Sequence, residues 1–348
     1  ETLLQPYNIN QYDFHVEETS RPTDKYTAEE KIAAVYAMLD LTLLDTVQLV
    51  GGTRIEREKT NMVTKDPFNP SAILNTNIHD STWHPSIELK YSPVKDMNVR
   101  LGYSSTLSRP EFHELAPFEF TDVIGGSAQV GNPNLKVAKI KNYDFRWEWF
   151  LNAQDVLSCS LFYKKITNAI EPTIQATTQL RSSYVNADDA WLKGAEFEVR
   201  KNLGFIWPWI RHWNITSNYI WTDSETTISP KPGFVPTTAT RPLVGQPKNM
   251  VNAALEYDNP DWGFTARFMY QFTDDRVNEI GGLGLPDIIE KKHDRFDLVL
   301  IKNFGKHWDV KLSAQNLNNE PYTLTQGGQV YYTYKVGRTF KLGVSWKW

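Results

Sequence analysis

One cysteine, Cys159, stands in 348 residues. A lone thiol excludes an internal disulfide framework and any multi-cysteine metal site, and its expected role is that of a small apolar side chain, not a nucleophile. Long apolar runs are missing too. Nothing approaches the roughly 18 consecutive apolar residues that a membrane helix needs, and mean hydropathy is negative. This excludes a helical span but not a closed barrel, whose strands of about 10 residues turn only alternate side chains to lipid. Charge of one sign is also scarce: 37 basic against 41 acidic residues leave a net −4. There is no polycationic face for nucleic acid and no acidic tail. No signal peptide is in view at Glu1, and for a barrel this suggests that an N-terminal portion precedes the chain.

Enzymatic signals are poor. The 7 histidines are scattered, with no HExxH and no close His/Cys/Asp spacing. Gly281-Gly282-Leu283-Gly284 precedes no convincing helix and reads as a loop, not a phosphate cradle. Asp188 and Asp189 are neighbours, which on a strand points them to opposite faces and argues against a catalytic pair. The sequon Asn214-Ile215-Thr216 falls within an expected strand.

What the sequence has in quantity is strict two-residue alternation. From Tyr332 the even positions run Tyr332, Tyr334, Val336, Arg338, Phe340, Leu342, Val344, Trp346, Trp348, against polar residues and glycine at the odd ones. One face is apolar and aromatic, the other polar; Arg338 is the exception. The same period marks Phe264 to Phe272, Trp308 to Ala314, Ile215 to Trp221, Phe145 to Trp149 and Val99 to Tyr103. Short turns such as Leu44-Asp45-Thr46, Ser92-Pro93-Val94-Lys95, Asn152-Ala153-Gln154, Asp258-Asn259-Pro260-Asp261 and Gly305-Lys306-His307 join the strands in pairs. Between pairs lie longer loops near 62–81, 109–136, 171–181, 226–244, 276–290 and 319–329. Sorting connections by length is a property of outer-membrane barrels; a soluble sandwich has no reason for it. About 13 strands fit between these connections, the seventh at 182–202 and the last at 330–348. The fold class expected is all-β, a partial transmembrane antiparallel barrel, because single-chain bacterial barrels have even strand numbers.

Several stretches carry a resemblance. Leu107-Ser108-Arg109-Pro110-Glu111-Phe112-His113-Glu114-Leu115, then Gly131-Asn132-Pro133-Asn134-Leu135, then Asn142-Tyr143-Asp144-Phe145-Arg146 resemble, in that order, the C-terminal barrel half of TonB-dependent receptors. Tyr184-Val185-Asn186-Ala187, Gly194-Ala195-Glu196-Phe197-Glu198, Asn316-Leu317-Asn318-Asn319-Glu320-Pro321-Tyr322 and Gly337-Arg338-Thr339-Phe340 match as well, the likeness running from about Glu30 to the end. Such receptors have an N-terminal plug with a TonB-binding segment and a barrel of 22 strands. The resemblance implies that residues 27–348 supply roughly the last 13 strands and residues 1–26 the remnant of an extracellular loop. It also implies a bacterial outer-membrane location and no cofactor, since any metal would arrive inside the ligand. Implied partners are outer-membrane lipid, the TonB complex through the absent plug region, the barrel-assembly machinery through the strand ending in Trp348, and a small-molecule or oligosaccharide ligand. One segment pulls the other way. Thr27 to Leu39 begins with a capping-box pattern, Thr27 with Glu30, and continues in good helix formers. Its surroundings make strand the expectation.

Within this frame Tyr332, Tyr334, Trp346 and Trp348 are candidate girdle aromatics at the membrane interfaces. Arg100, Arg146, Glu148, Arg267 and Lys311 would line the lumen. His113, Phe118, Phe120 and Tyr322, in or beside long loops, are the candidate ligand contacts. The expected function is receptor-mediated uptake of a scarce, bulky nutrient such as an iron chelate, cobalamin or an oligosaccharide. A passive porin and a barrel hydrolase are the rivals.

Overall fold

A computed structural model describes residues 25–65, 69, 71–120, 128–176 and 180–348. Nearly all of the expected loop remnant at 1–26 lies outside these. Thirteen strands follow one another in an antiparallel sheet in strict chain order. They are β1 (Tyr26–Leu44), β2 (Val47–Lys65), β3 (Ile73–Tyr91), β4 (Met97–Ser108), β5 (Ala138–Phe150), β6 (Val156–Thr167), β7 (Asp189–Asn202), β8 (Trp213–Thr227), β9 (Asn249–Asn259), β10 (Phe264–Thr273), β11 (His293–Phe304), β12 (Trp308–Gln315) and β13 (Thr339–Trp346). Among the described residues no helix is long and apolar enough to cross a membrane.

The register explains why these segments are strands. Leu41, Leu49, Leu89, Leu101, Phe145, Leu161 and Ala195 stand opposite one another on successive strands, forming one apolar row across β1 to β7. At the other edge Ala314 faces Phe340, Leu312 faces Leu342 and Val310 faces Val344. Because the side-chain period is two, a slip of one residue would move every such row to the opposite face. The same constraint decides Thr27 to Leu39. Val35 and Leu41 continue rows begun by Ile55 and Leu49, and ladder pairing along the strand outweighs helix preferences of a few tenths of a kcal/mol per residue.

Four boundaries need correction. The expected loop at 62–81 is mostly strand, since β2 runs to Lys65 and β3 begins at Ile73. At about 3.3 Å per residue, the 19-residue strands β1 to β3 are far longer than the 9–11 residues a barrel span requires. The expected strand 182–202 is two elements, Leu180–Asn186 and β7. The expected final strand 330–348 is also two, Gln329–Tyr334 and β13. Gly337 separates them at φ +89°, its carbonyl accepting from Asn316 Nδ2 at 2.8 Å, while Arg338 donates to the Leu317 carbonyl at 2.8 Å. Lastly, the long loops are folded. Glu119–Phe120, Ala128–Val130, Leu180–Asn186 and Ile170–Ala176 make one four-stranded sheet, and Arg276–Glu279, Ile288–Glu290, Tyr322–Gln326 and Gln329–Tyr334 make another. Thr173 bridges them to Ile280.

The short-turn end is as expected apart from residues 203–212, where two 3-10 turns, Leu203–Phe205 and Pro208–Ile210, lengthen the β7–β8 connection. A single-layer sheet has no interior of its own, so the buried apolar residues lie mainly at the long-loop end. One cluster comprises Met62, Leu115, Ala116, Phe118 and Leu135. The other gathers Ala169, Val185, Ala187, Ala190, Ile228, Phe234, Leu243 and Ile280.

Candidate functional site

The folded loops form a crown over one end of the wall, and its foundation is the motif that follows β4. Arg109 turns back against the polar face of β2. Its Nε lies 2.6 Å from Glu58 Oε2 and its terminal nitrogen 2.6 Å from Glu56 Oε2. Glu58 is 5% exposed and also accepts from Thr60 Oγ1 at 2.9 Å. Phe112–Leu115 then makes a single helical turn, in which Glu114 Oε2 accepts from the Glu111 amide at 2.8 Å, and Leu115 enters the cluster around Met62.

The Gly131-Asn132 segment clasps this turn. The Gly131 amide donates to the Ala116 carbonyl at 2.9 Å and the Asn132 amide to the Glu114 carbonyl at 2.6 Å. Asn132 Nδ2 reaches the Tyr184 carbonyl at 2.9 Å. Asn186 Oδ1 accepts from the Lys136 amide at 2.8 Å, while its Nδ2 donates to the carbonyls of Lys136 and Asn168 at 3.0 and 2.9 Å. A Cβ on residue 131 would stand 2.5 Å from both the amide nitrogen and the carbonyl oxygen of Ala116. Gly131→Ala is therefore expected to cost about 1–3 kcal/mol, the usual range for overpacking. The check is limited proteolysis, with cleavage between residues 109 and 137 at least several-fold faster than in the parent protein.

Three of the four candidate ligand contacts come together here. His113 packs edge-on to Phe120 with ring centroids 6.1 Å apart, and Phe118 lies 6.2 Å from Phe120. Phe118 is buried, leaving His113 and Phe120 as the accessible members. Tyr322 sits elsewhere, in the second small sheet. It is sandwiched between His293 at 4.0 Å and Tyr334 at 5.2 Å, all three rings nearly parallel. Tyr332 and Tyr334, expected at a membrane girdle, belong to this upper hairpin and not to the wall strand. Trp346 is in β13, 4.5 Å from Trp348 and 6.4 Å from Trp308.

Sequence reasoning missed a buried polar group between the two small sheets. Glu171, 2% exposed, accepts from the Val244 amide at 3.0 Å. Burial raises its pKa to about 7, against the smaller opposing pull of that amide and of Arg241. Arg241 is itself held by Asp287 at 3.0 Å. Glu279, accepting from Ser182 Oγ at 2.8 Å, is likewise pushed up by burial. Lys231 holds the Asp188 carboxylate below its usual range. Asp188 also accepts from the Ser229 amide at 2.7 Å, whereas Asp189 opens β7, with Lys165 as its partner at 3.9 Å. The two carboxylates are not a pair.

Below the crown, the lumen face carries an ordered charge lattice. Arg100 bridges Glu88 at 2.9 Å and Glu148 at 3.1 Å, and Arg146 bridges Glu148 at 3.0 Å and Glu198 at 3.3 Å. Arg267 stands 3.9 Å from Glu256, and Lys311 is on the same face of β12. Among the described residues no group of three or more His, Cys, Asp or Glu could hold a metal ion.

A family model described as "TonB dependent receptor-like, beta-barrel" matches residues 3–317. No curated protein matches. Among solved structures, the ferric-catecholate import receptor Fiu from E. coli K12 superposes with a TM-score of 0.69 at 17% identity, over 96% of this chain and 47% of that one. The copper transporter OprC gives a TM-score of 0.69 at 15% identity, over 92% and 48%. The siderophore receptor PiuA from Acinetobacter baumannii gives 0.69 at 16%, over 93% and 44%. The chain thus spans about half the length of these structures.

Proposed function

This chain belongs to the TonB-dependent receptor-like β-barrel family, and from that premise we propose that it forms the C-terminal part of an outer-membrane receptor taking up a scarce, bulky nutrient with TonB-coupled energy. A metal chelate heads the ligand classes, because the similar structures carry the names of a ferric-catecholate import receptor, a copper transporter and a siderophore receptor. Cobalamin and oligosaccharides follow. The observation that carries this reading is the crown itself. Its loops are packed and clasped against the lumen side of β2 through Arg109 and the Met62 cluster, a construction suited to gripping a ligand at the mouth. A porin would leave that mouth open to diffusion.

Ligand would meet the crown through His113, Phe120 and the Tyr322–Tyr334 stack. TonB would act through a plug region of the kind the resemblance implies. The assembly machinery would read β13 and Trp348, and lipid would meet the apolar rows. The test is uptake of a radiolabelled ferric catecholate, a copper chelate, cobalamin and an oligosaccharide by cells with and without the protein. For one ligand class, uptake should require the protein and stop when a protonophore collapses the proton gradient. Flux that persists through the protonophore would make the chain a porin. A large loss of hydrolytic activity in alanine variants of His113, Glu114 or Asp188 would instead make it a barrel enzyme.

A further inference from the structure

We propose that the turn between β7 and β8 is a membrane anchor, with Phe205, Trp207 and Trp209 inserted among the lipid headgroups at the short-turn end of the wall. The proposal rests on the reading of the wall as lipid-facing and adds an attachment to it. Most turns at this end are polar and tight: Asp45-Thr46 joins β1 to β2, and Gly305 at φ +63° lets Gly305-Lys306-His307 join β11 to β12. Residues 203–212 depart from that economy, carrying Phe205, Ile206, Trp207, Trp209 and Ile210 in succession around one proline.

The loop is rigid. Asn202 Oδ1 accepts from the Gly204 amide at 2.9 Å and Asn202 Nδ2 donates to the Arg211 carbonyl at 2.7 Å, drawing its two ends together. Despite that order its large side chains are uncovered: Phe205 is 67% exposed, Trp207 56% and Trp209 76%, with the two indoles stacked 6.2 Å apart. Rings of this kind each bring about 150–250 Å² of surface, and a fold that merely turned a corner would not hold them in water.

Two observations place the turn on the lipid side. Lys201 lies opposite Ile215, in the apolar row that includes Leu255 and Phe268, and its ammonium covers the Phe205 ring at 5.0 Å. The patch also continues a belt along the same rim, where Tyr257 packs on Trp213 at 5.2 Å, Trp262 at 6.4 Å and Phe264 at 6.3 Å. Tryptophan and tyrosine favour the headgroup level, where an apolar ring and a polar edge are both accommodated. Arg211 and His212 close the turn, and a basic side chain there can meet lipid phosphate.

The test uses the protein purified from its own membrane source and reconstituted in phosphatidylethanolamine/phosphatidylglycerol vesicles. Nitroxide labels are placed at Trp209→Cys, at Leu255→Cys in the wall and at Asp45→Cys in a polar turn, each in a Cys159→Ser background. Position 209 is exposed, so labelling it gives up the stack on Trp207 but leaves the Asn202 bonds that draw the loop ends together. Collision with oxygen, set against a water-soluble nickel chelate, should place the 209 label about 5–10 Å into the interface, the usual depth of interfacial apolar faces, while the Asp45 label reports water. If the 209 label matched Asp45 while Leu255 reported lipid, the anchor would be wrong and the barrel reading would stand. A 209 label immobilised and shielded from both agents would mean a protein partner covers the turn, again overturning the proposal. A Leu255 label in water would overturn the lipid-facing wall and the anchor together.

Discussion

Arg109→Met should loosen the crown more than any other single change considered for this protein. The substitution keeps the length and apolar stem of the side chain but removes the guanidinium that meets Glu56 and Glu58, each at 2.6 Å. Glu58 is almost fully buried and, among the described residues, keeps only its bond from Thr60, so its charge loses its guanidinium counterion. Breaking a buried pair by deleting one partner typically costs about 3–5 kcal/mol, because the remaining charge cannot return to water. That figure is the penalty of the orphaned carboxylate, not the net worth of the pair. A second substitution separates the two. Glu58→Gln in the Arg109→Met background removes the stranded charge and should recover a large part of the loss. Hydrogen exchange at the amides of Leu115, Ala116 and Gly131 reads the outcome. Unchanged protection in Arg109→Met would mean that the Met62 cluster alone holds the loop.

The second large effect is on pH. Glu171 is raised from 4.5 to about 7 by burial, so the folded crown binds a proton at this site more tightly than the opened one. Its stabilising contribution is complete below about pH 4.5, declines as pH rises, and is gone once pH passes about 7. At 1.36 kcal/mol per unit, the interval corresponds to about 3 kcal/mol. Glu171→Gln keeps an oxygen to accept from the Val244 amide and removes this titration, so the decline over the same interval should shrink to the part that belongs to Glu279, which burial also raises. Exchange at the Val185 and Val244 amides, corrected for the intrinsic pH dependence of exchange, measures both. A parent protein with level protection from pH 4.5 to 7 would place Glu171 in contact with water.

Neither residue was equally visible in advance. Arg109 stands inside the motif that carried the family resemblance, and so do Gly131, Asn132 and Asn186. Their structural work is to clasp one segment to another across about 50 residues of chain, as from Asn132 to Tyr184. Glu171 gave no signal. A lone acid in a polar stretch reads as a solvated side chain, and only the packing of one hairpin on another buries it.

The same division runs through the molecule. The sequence by itself determined the wall: the number and order of its strands, the face each side chain takes, and the sorting of short turns to one end and long connections to the other. Alternation suffices there because a two-residue period is a local property, and lipid on one side with water on the other reads it out strand by strand. Only the tertiary structure decided that the long connections are hairpins holding the buried apolar clusters. It likewise divided the last apolar-alternating stretch at Gly337, sending Tyr332 and Tyr334 to the crown and leaving Trp346 in the wall. Alternation along Gln329–Trp348 is nearly continuous, so nothing local marks the break. The bonds from Asn316 to Gly337 and from Arg338 to Leu317 fix it, and both join parts of the chain that meet only after the sheet has formed.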